Sequence, residues 1–159
     1  MTRLFSGTAT EPGLKFALMI RDLNLALSRH SSPDLAELGL SQAQIPVLAA
    51  IDELPGSTGC ELAEATHTTP QAVSQILARL TECGMVRRES LGGRAMGHHL
   101  TDKGRTATYA ARARFGSLTE SFLTVLDDDD QAVMIDALWR VLNAMVDADD
   151  EKPQRETGP

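Results

Sequence analysis

Two closely spaced helix starts in the middle of the chain constrain its fold more than any other feature. Thr58 and Glu61 have the spacing of a capping box, in which each residue can satisfy a free backbone N–H group of the first helical turn. Thr69 and Pro70 form a second start, because threonine can cap a helix and the first helical position needs no N–H donor. The short interval between the two starts predicts two helices joined by a tight turn.

The second helix has one apolar row and one polar face. The apolar residues recur at helical spacing and are Val73, Ile76, Leu77 and Leu80. Gly84 is predicted to end the helix. Two extended segments, 85–90 and 95–101, then flank Gly92-Gly93, and this pattern predicts a two-stranded hairpin.

The region before these elements predicts a further helix. It is expected to open at Ser41, with Gln44 completing a capping box, and Pro46 is expected to bend it. Three short helices followed by a hairpin over residues 42–101 are the element order of a winged helix-turn-helix. The predicted fold class is therefore mainly α with a small two-stranded β wing, comprising a winged helix-turn-helix and a helical dimerisation region.

Longer helices are predicted on both sides of this region. They cover residues 14–29, 102–126 (capped by Thr101) and 131–147, and residues 30–40 are read as a connection with at most one helical turn. The helices at 14–29 and 131–147 carry wider apolar faces than a lone domain needs, which favours a partner surface on them. We expect a single domain, 1–159, with a winged helix-turn-helix at 32–101, helical dimerisation segments at 13–31 and 102–147, and a disordered tail at 148–159.

The formal net charge of −7 argues at first against binding to nucleic acid, but the charge is segregated. Residues 127–151 contain nine acidic residues and one basic residue, a local charge of −8, and the remainder of the chain sums to +1. The run Asp127 to Asp130 resembles an acidic interaction patch. We favour the simpler interpretation that these aspartates stabilise the start of the last helix through its dipole.

The polar face of the helix after Thr69 suits the major groove of DNA, which admits one α-helix and displays donors and acceptors on its base edges. Amides and hydroxyls can read those edges, arginines can contact phosphates, and Arg94 at the hairpin tip is placed to enter a narrow minor groove. Of Arg87 and Arg88, at least one is expected to contact phosphate. The candidate DNA-binding residues are Thr69, Gln71, Ser74, Gln75, Arg79, Arg87 and Arg94.

Other chemistry has little support in the sequence. There is no nucleophile–base pattern, phosphate-binding loop or paired-carboxylate motif, so we predict a protein that is not an enzyme and has no cofactor. His98 and His99 point to opposite faces of a strand, which disfavours a shared metal site. Two cysteines are too few for a disulfide framework, and no apolar run approaches the ~18 residues of a membrane span. We expect no secretory signal, a cytoplasmic location and no membrane partner.

Three stretches of the chain resemble the MarR-type (multiple antibiotic resistance) transcriptional regulators. They are LGLSQAQIPVLAAI, ELAEATHTTPQAVSQILARLTECGMVRR and GGRAMGHHLTDKGR, and the resemblance spans residues 14–147. It implies an obligate dimer whose first and last helices interlock, with DNA contacts from Thr69, Gln71, Ser74, Gln75 and Arg94. Gly92 replaces the aspartate that usually precedes the wing arginine, and no cysteine precedes Cys60, so the peroxide-sensing mechanism of one branch does not transfer.

The predicted function is a homodimeric, ligand-responsive repressor that binds a pseudo-palindromic operator in double-stranded DNA. The resemblance implies an effector, often aromatic or anionic, that binds between the dimer helices and the winged domain and releases DNA. Two alternatives remain open. One is a protein-interaction module that keeps the winged scaffold without binding DNA, and the other is a redox-sensing regulator that uses Cys60 or Cys83.

Overall fold

The computed structural model describes Gly7 and residues 10–150, and within them it shows the predicted mainly helical chain with a two-stranded antiparallel sheet. The elements are α1 (Pro12–Glu37), α2 (Gln44–Glu53), α3 (Gly59–Ala65), α4 (Pro70–Glu82), β1 (Val86–Gly92), β2 (Ala95–Leu100), α5 (Asp102–Leu123) and α6 (Asp128–Asp150). The chain divides into two compact units, one ending at Thr119 and the other beginning at Glu120.

The core of the first unit determines which face of α4 points outward. Leu48 of α2, Leu62 of α3, and Val73 and Leu80 of α4 are fully buried. Burying one such side chain contributes ~1.5–3 kcal/mol. The predicted apolar row of α4 is therefore the row that packs inward, and the polar residues between its members are left at the surface.

Helix α1 is longer than predicted. The helix was expected to end at residue 29, but it continues to Glu37 with Pro33 in its interior, so the expected connection over residues 30–40 is wrong. Ser31 and Leu35 are buried on one side of this segment, and the Ser32 hydroxyl donates to the Ser28 carbonyl at 2.6 Å. Burial and this side-chain bond stabilise the turns next to the proline, which itself removes one backbone hydrogen bond.

Helix α2 begins two residues later than predicted. The expected pairing of Ser41 and Gln44 is present in one direction, because the Ser41 N–H donates to Gln44 Oε1 at 2.7 Å, but the helix starts at Gln44 and Ala43 provides no side-chain cap. Pro46 is consequently the third helical residue. The prediction that Pro46 removes a hydrogen bond is wrong, because N–H groups in the first turn have no intrahelical partner.

The two helix starts that anchored the prediction are confirmed. Thr58 Oγ1 accepts from the Glu61 N–H at 3.3 Å, and Glu61 Oε2 accepts in return from the Thr58 N–H at 2.7 Å. Thr69 Oγ1 accepts from the Ala72 N–H at 3.2 Å, and Pro70 is the first residue of α4. These caps fix where α3 and α4 begin and therefore set the turn between them.

The capping box at Thr58 makes a testable contribution to stability. The hydrogen bonds from the Thr58 backbone and side chain hold the pKa of Glu61 below its ordinary value of 4.5. Because the pKa of Glu61 is lower in the folded state than in the unfolded state, ionisation of Glu61 stabilises the folded state when the pH lies above the unfolded-state pKa. This stabilisation is lost as the pH falls through the folded-state pKa. We expect Thr58→Ala to lower the free energy of unfolding by ~1 kcal/mol near neutral pH, and by less in acid.

Urea unfolding at about pH 7 and about pH 3.5, on either side of the ordinary carboxylate range, measures this difference. Glu64→Gln in the same helix is the control, because Glu64 is exposed and takes no part in the cap. An equal destabilisation by Thr58→Ala at both pH values would contradict the assigned role of Glu61.

The hairpin follows α4 directly, as predicted. Gly84 has a positive φ of 70° and ends the helix region, and β1 pairs with β2 in a register that places Arg88 opposite His98. Gly92 and Gly93 have φ values of 101° and 58°, a backbone region that glycine adopts without steric cost. They form the tight wing turn that presents Arg94.

Helix α5 starts against the end of α4. Thr101 Oγ1 accepts from the Gly104 N–H at 3.1 Å, which confirms the predicted cap, and donates to the Gly84 carbonyl at 2.7 Å. Gly104 approaches Met85 so closely that a Cβ atom would lie 2.0 Å from the Met85 carbonyl oxygen. Glycine is therefore required at position 104 by a backbone contact.

Three helix boundaries near the end of the chain differ from prediction. Helix α5 ends at Leu123 instead of residue 126, and α6 runs from Asp128 to Asp150 instead of over residues 131–147. The Asp127 carboxylate accepts from the Asp130 N–H at 2.8 Å, so the interpretation of these aspartates as stabilising the helix start is confirmed at Asp127. The remainder of the predicted tail, 151–159, lies outside the described residues.

Candidate nucleic-acid interface

The outward face of α4 is polar and exposed to solvent. It consists of Gln71, Ser74, Gln75, Ala78 and Arg79, all exposed. No side chain of this set makes a hydrogen bond or ion pair with another residue in the described part of the chain. Thr69 lies at the start of the same face, where its hydroxyl caps the helix. The structure thus brings five of the seven predicted DNA-binding residues onto one helix.

The wing faces α4 across a groove of about 900 Å³. Ser74 and Ala78 line the α4 side, and Arg88, Arg94 and Met96 line the hairpin side. Neither guanidinium is paired with a carboxylate in the described structure. Two free cations therefore lie beside the face that presents amides and hydroxyls, which is the combination that phosphate contact and base readout require.

Arg87 lies on the other face of the hairpin. Its Nη1 is 3.3 Å from Glu89 Oε2, and the same carboxylate oxygen is 2.9 Å from His99 Nε2. Successive residues of a strand point to opposite faces, so Arg87 and Arg88 cannot both face α4. Arg87 is among the residues predicted from the sequence, and Arg88 is only its alternative as a phosphate contact. The alternation of side chains along a strand does not show which of the two faces is turned toward α4.

Backbone hydrogen bonds join the base of the wing to the turn before α3. The Gly56 N–H donates to the His98 carbonyl at 2.9 Å, and the His98 N–H donates to the Ser57 carbonyl at 3.0 Å. At Gly97 a Cβ atom would lie 2.7 Å from the Gly56 carbonyl oxygen, so only glycine permits this approach. His98 and Gly97 were not identified as site residues from the sequence, because their partners are about forty positions away.

The first turns of α5 are fastened to α4 and to α2. Lys103 Nζ donates to the Cys83 carbonyl at 2.8 Å, and Thr101 binds the neighbouring Gly84 carbonyl. Asp52 of α2 lies 3.3 Å from Arg105 and 3.4 Å from Arg112, and its side chain is only 10% exposed. These bonds orient α4 relative to α5.

Groups that would indicate other chemistry are sparse. Cys60 and Cys83 are exposed free thiols, and Cys60 lines the groove between α4 and the wing. Among the described residues, no group of three His, Cys, Asp or Glu side chains is arranged to hold a metal ion. A search of the same residues finds no helix long and apolar enough to cross a membrane.

A helix-turn-helix whose second helix has a polar outer face, beside a hairpin that carries unpaired arginines, is the arrangement of the winged helix-turn-helix class. Comparison with known proteins identifies the family within this class. The MarR family pattern matches residues 38–95. The transcriptional regulator HosA of Escherichia coli O111:H- is 30% identical over 118 residues, which cover 73% of this chain and 84% of HosA. The chain belongs to the MarR family.

Two further proteins are similar to this chain, one in sequence and structure and the other in fold. The HTH-type transcriptional repressor Rv2887 of Mycobacterium tuberculosis is 33% identical over 84 residues, and the match covers 52% of this chain and 60% of that repressor. The structure of Rv2887 in complex with salicylic acid has a TM-score of 0.66 at 25% identity, covering 85% of this chain and 98% of that one. A MepR–DNA complex from Staphylococcus aureus shares the fold, with a TM-score of 0.72 at 18% identity over 82% of this chain and 97% of that one.

Proposed function

We propose that the protein is a ligand-responsive transcriptional repressor that binds a pseudo-palindromic operator as a homodimer. The observation that carries the proposal is the single surface formed by the polar face of α4 and the unpaired Arg88 and Arg94 of the wing. An α-helix in the major groove and an arginine in the adjacent minor groove together read sequence and shape. The relatives named as repressors support the same mode of action.

In this proposal Thr69, Gln71, Ser74 and Gln75 contact bases, and Arg79, Arg88 and Arg94 contact phosphates or the minor groove. Arg87 is assigned a smaller role because Glu89 already neutralises it. Half-sites read by a two-fold symmetric dimer lie one helical turn, ~34–36 Å, apart.

The proposed dimer is supported by large apolar side chains at the surface of the chain. In α1 these are Leu14, Phe16, Met19, Ile20, Leu23 and Leu25, each at least 40% exposed, and in α6 they are Val133, Ile135, Trp139, Val141, Leu142 and Met145. Exposed apolar side chains in such numbers on one helix mark an interaction surface in a folded protein. We infer that a second copy of the chain covers the helical dimerisation segments.

The proposed effector is an aromatic or anionic small molecule. The structure of Rv2887 with salicylic acid, an aromatic carboxylic acid, supports this class for a relative. Binding would shift the dimer toward a conformation with lower DNA affinity, with a coupling free energy of ~1–3 kcal/mol between the two sites. We further propose that the protein acts in the cytoplasm without enzymatic activity of its own.

A gel-shift titration against DNA from the protein's own promoter region, repeated across salt concentrations, tests the proposal. A sequence-specific repressor should lose affinity steeply with salt, with a log–log slope near −0.9 per phosphate neutralised. A weak response that is flat in salt and indifferent to sequence would favour the protein-interaction module. Loss of peroxide sensitivity when Cys60 and Cys83 are both replaced by serine would favour the redox-sensing regulator instead.

Gln75→Ala is expected to weaken operator binding mainly at one base pair. A glutamine amide can bind adenine N6 and N7 in a bidentate manner, and losing such a contact costs ~1–3 kcal/mol. On an operator in which that base pair is changed, Gln75→Ala should bind as well as the wild type. On operators changed at other base pairs, Gln75→Ala should still bind more weakly than the wild type. An equal loss of affinity on every operator variant would assign Gln75 to the DNA backbone instead.

A further inference from the structure

His98 occupies an unusual place for a histidine in this fold. It lies on β2 opposite Arg88, is only 5% exposed, and contributes to the lining of the groove between the wing and α4. Its neighbour His99 points to the opposite face, toward Glu89. His98 therefore lies beneath the surface that carries the two unpaired wing arginines.

The side chain of His98 makes one defined hydrogen bond. Nδ1 is 3.0 Å from the carbonyl oxygen of Ser57, the same oxygen that accepts the His98 backbone N–H at 3.0 Å. A carbonyl oxygen can only accept, so Nδ1 carries the hydrogen and donates it. The Ser57 carbonyl thus receives two bonds from one residue, and the imidazole is held in one tautomer and one orientation.

This bond joins two functional segments. Ser57 immediately precedes the Thr58 cap of α3, and β2 continues from the wing turn that carries Arg94. The two segments are closely packed, because the Gly56 N–H donates to the His98 carbonyl and Gly97 packs against the Gly56 carbonyl. The base of the wing is therefore attached to the start of the helix-turn-helix through His98 and its immediate neighbours.

We propose that His98 is a positioning residue for DNA binding, which fixes the angle of the wing relative to α4 through its Nδ1–H bond to the Ser57 carbonyl. The inference rests on the proposed contact of Arg94 with DNA. His98 acts through Arg94 and does not itself touch DNA. Without this bond the hairpin keeps its strand pairing and its two backbone hydrogen bonds to the turn before α3, but it loses the side-chain hydrogen bond.

The matched variants are His98→Asn and His98→Gln. The asparagine amide can place a donor where Nδ1 lies, whereas the longer glutamine side chain places its amide near the position of Nε2. We expect His98→Gln to weaken operator binding by about tenfold, a change of the size that loss of one well-placed hydrogen bond produces. His98→Asn should stay within about threefold of the wild type, since the donor is retained.

A double-mutant cycle with Arg94→Ala separates positioning from general destabilisation. On the Arg94→Ala background the further loss from His98→Gln should be much smaller, because the wing contact that His98 positions is already absent. Additive losses, or equal losses in the Asn and Gln variants, would overturn the inference. Full affinity of His98→Gln in a protein that needs Arg94 would overturn it without affecting the proposed function.

A measurement on the free protein keeps the inference testable if His98→Gln does not fold. Imidazole ¹⁵N chemical shifts report which ring nitrogen of His98 carries the hydrogen, and a hydrogen on Nδ1 is expected. The Nε2–H tautomer would overturn the inference whatever the protein does with DNA. Wild-type affinity of Arg94→Ala would overturn the wing contact of the proposed function, and with it the positioning role.

Discussion

Replacing Arg88 with alanine is expected to weaken operator binding by about 10- to 100-fold, the range that loss of a charge-assisted hydrogen bond to phosphate predicts. Arg88 lines the groove beside α4 and has no carboxylate partner among the described residues, so its guanidinium is available to DNA. The log–log salt slope should also fall by about one unit of phosphate charge, since one fewer counterion is released. Quantitative gel shifts or fluorescence anisotropy at several salt concentrations measure both effects.

Arg87→Ala is the matched control, one residue away on the same strand. Arg87 is turned to the other face of the hairpin and paired with Glu89, so its removal should change affinity by less than about threefold. The reverse ranking, with Arg87 essential and Arg88 dispensable, would show that the hairpin presents its other face to DNA. Both variants should retain the wild-type unfolding midpoint, because both arginines are exposed.

Gly104→Ala is expected to lower the free energy of unfolding by about 3 kcal/mol, at the upper end of the usual cost of overpacking. The added Cβ would lie 2.0 Å from the Met85 carbonyl oxygen and 2.9 Å from the Met85 carbonyl carbon. The backbone of Met85 or the first turn of α5 must move to accommodate it. Either movement disturbs the bonds from Thr101 to Gly84 and Met85, so operator affinity should fall along with stability.

Gly116→Ala in the same helix is the control. A Cβ atom at this position meets no described residue within 4 Å, and alanine is favoured over glycine in a helix interior by ~1 kcal/mol. Equilibrium urea unfolding of the two variants should therefore show shifts of opposite sign. An unchanged free energy of unfolding in Gly104→Ala would show that α5 and the Met85 backbone can move apart at little energetic cost.

Local signals in the sequence predicted the helix-turn-helix well. The caps at Thr58 and Thr69 depend only on residues three positions away, and the turn glycines depend only on their own backbone angles. The errors arose where the outcome depends on distant packing. Burial of Leu35 extends α1 past Pro33, and α2 starts at Gln44 although Ser41 offers a cap that looks equally good in the sequence.

The candidate site was predictable on α4 and less so on the wing. The face of α4 follows from the apolar row of Val73, Leu77 and Leu80, which can point only into the core. The face of the hairpin depends on how β2 attaches to Gly56 and Ser57, a contact between residues about forty positions apart. No local pattern reveals that attachment, so the choice between Arg87 and Arg88 and the role of His98 required the three-dimensional structure.

The bonds that fasten α4 to the first turns of α5 have a mechanical consequence. Lys103 bonds to the end of α4, and Asp52 pairs with Arg105 and Arg112, so these contacts couple α2 and α4 to the start of α5. Residues 102–119 of α5 span ~27 Å at the helical rise per residue. A tilt of α5 by about 10° displaces the far end of such an arm by about 5 Å, more than the ~3.4 Å spacing of successive base pairs. In the proposed dimer, a small rotation of α5 is therefore sufficient to move α4 out of register with its half-site.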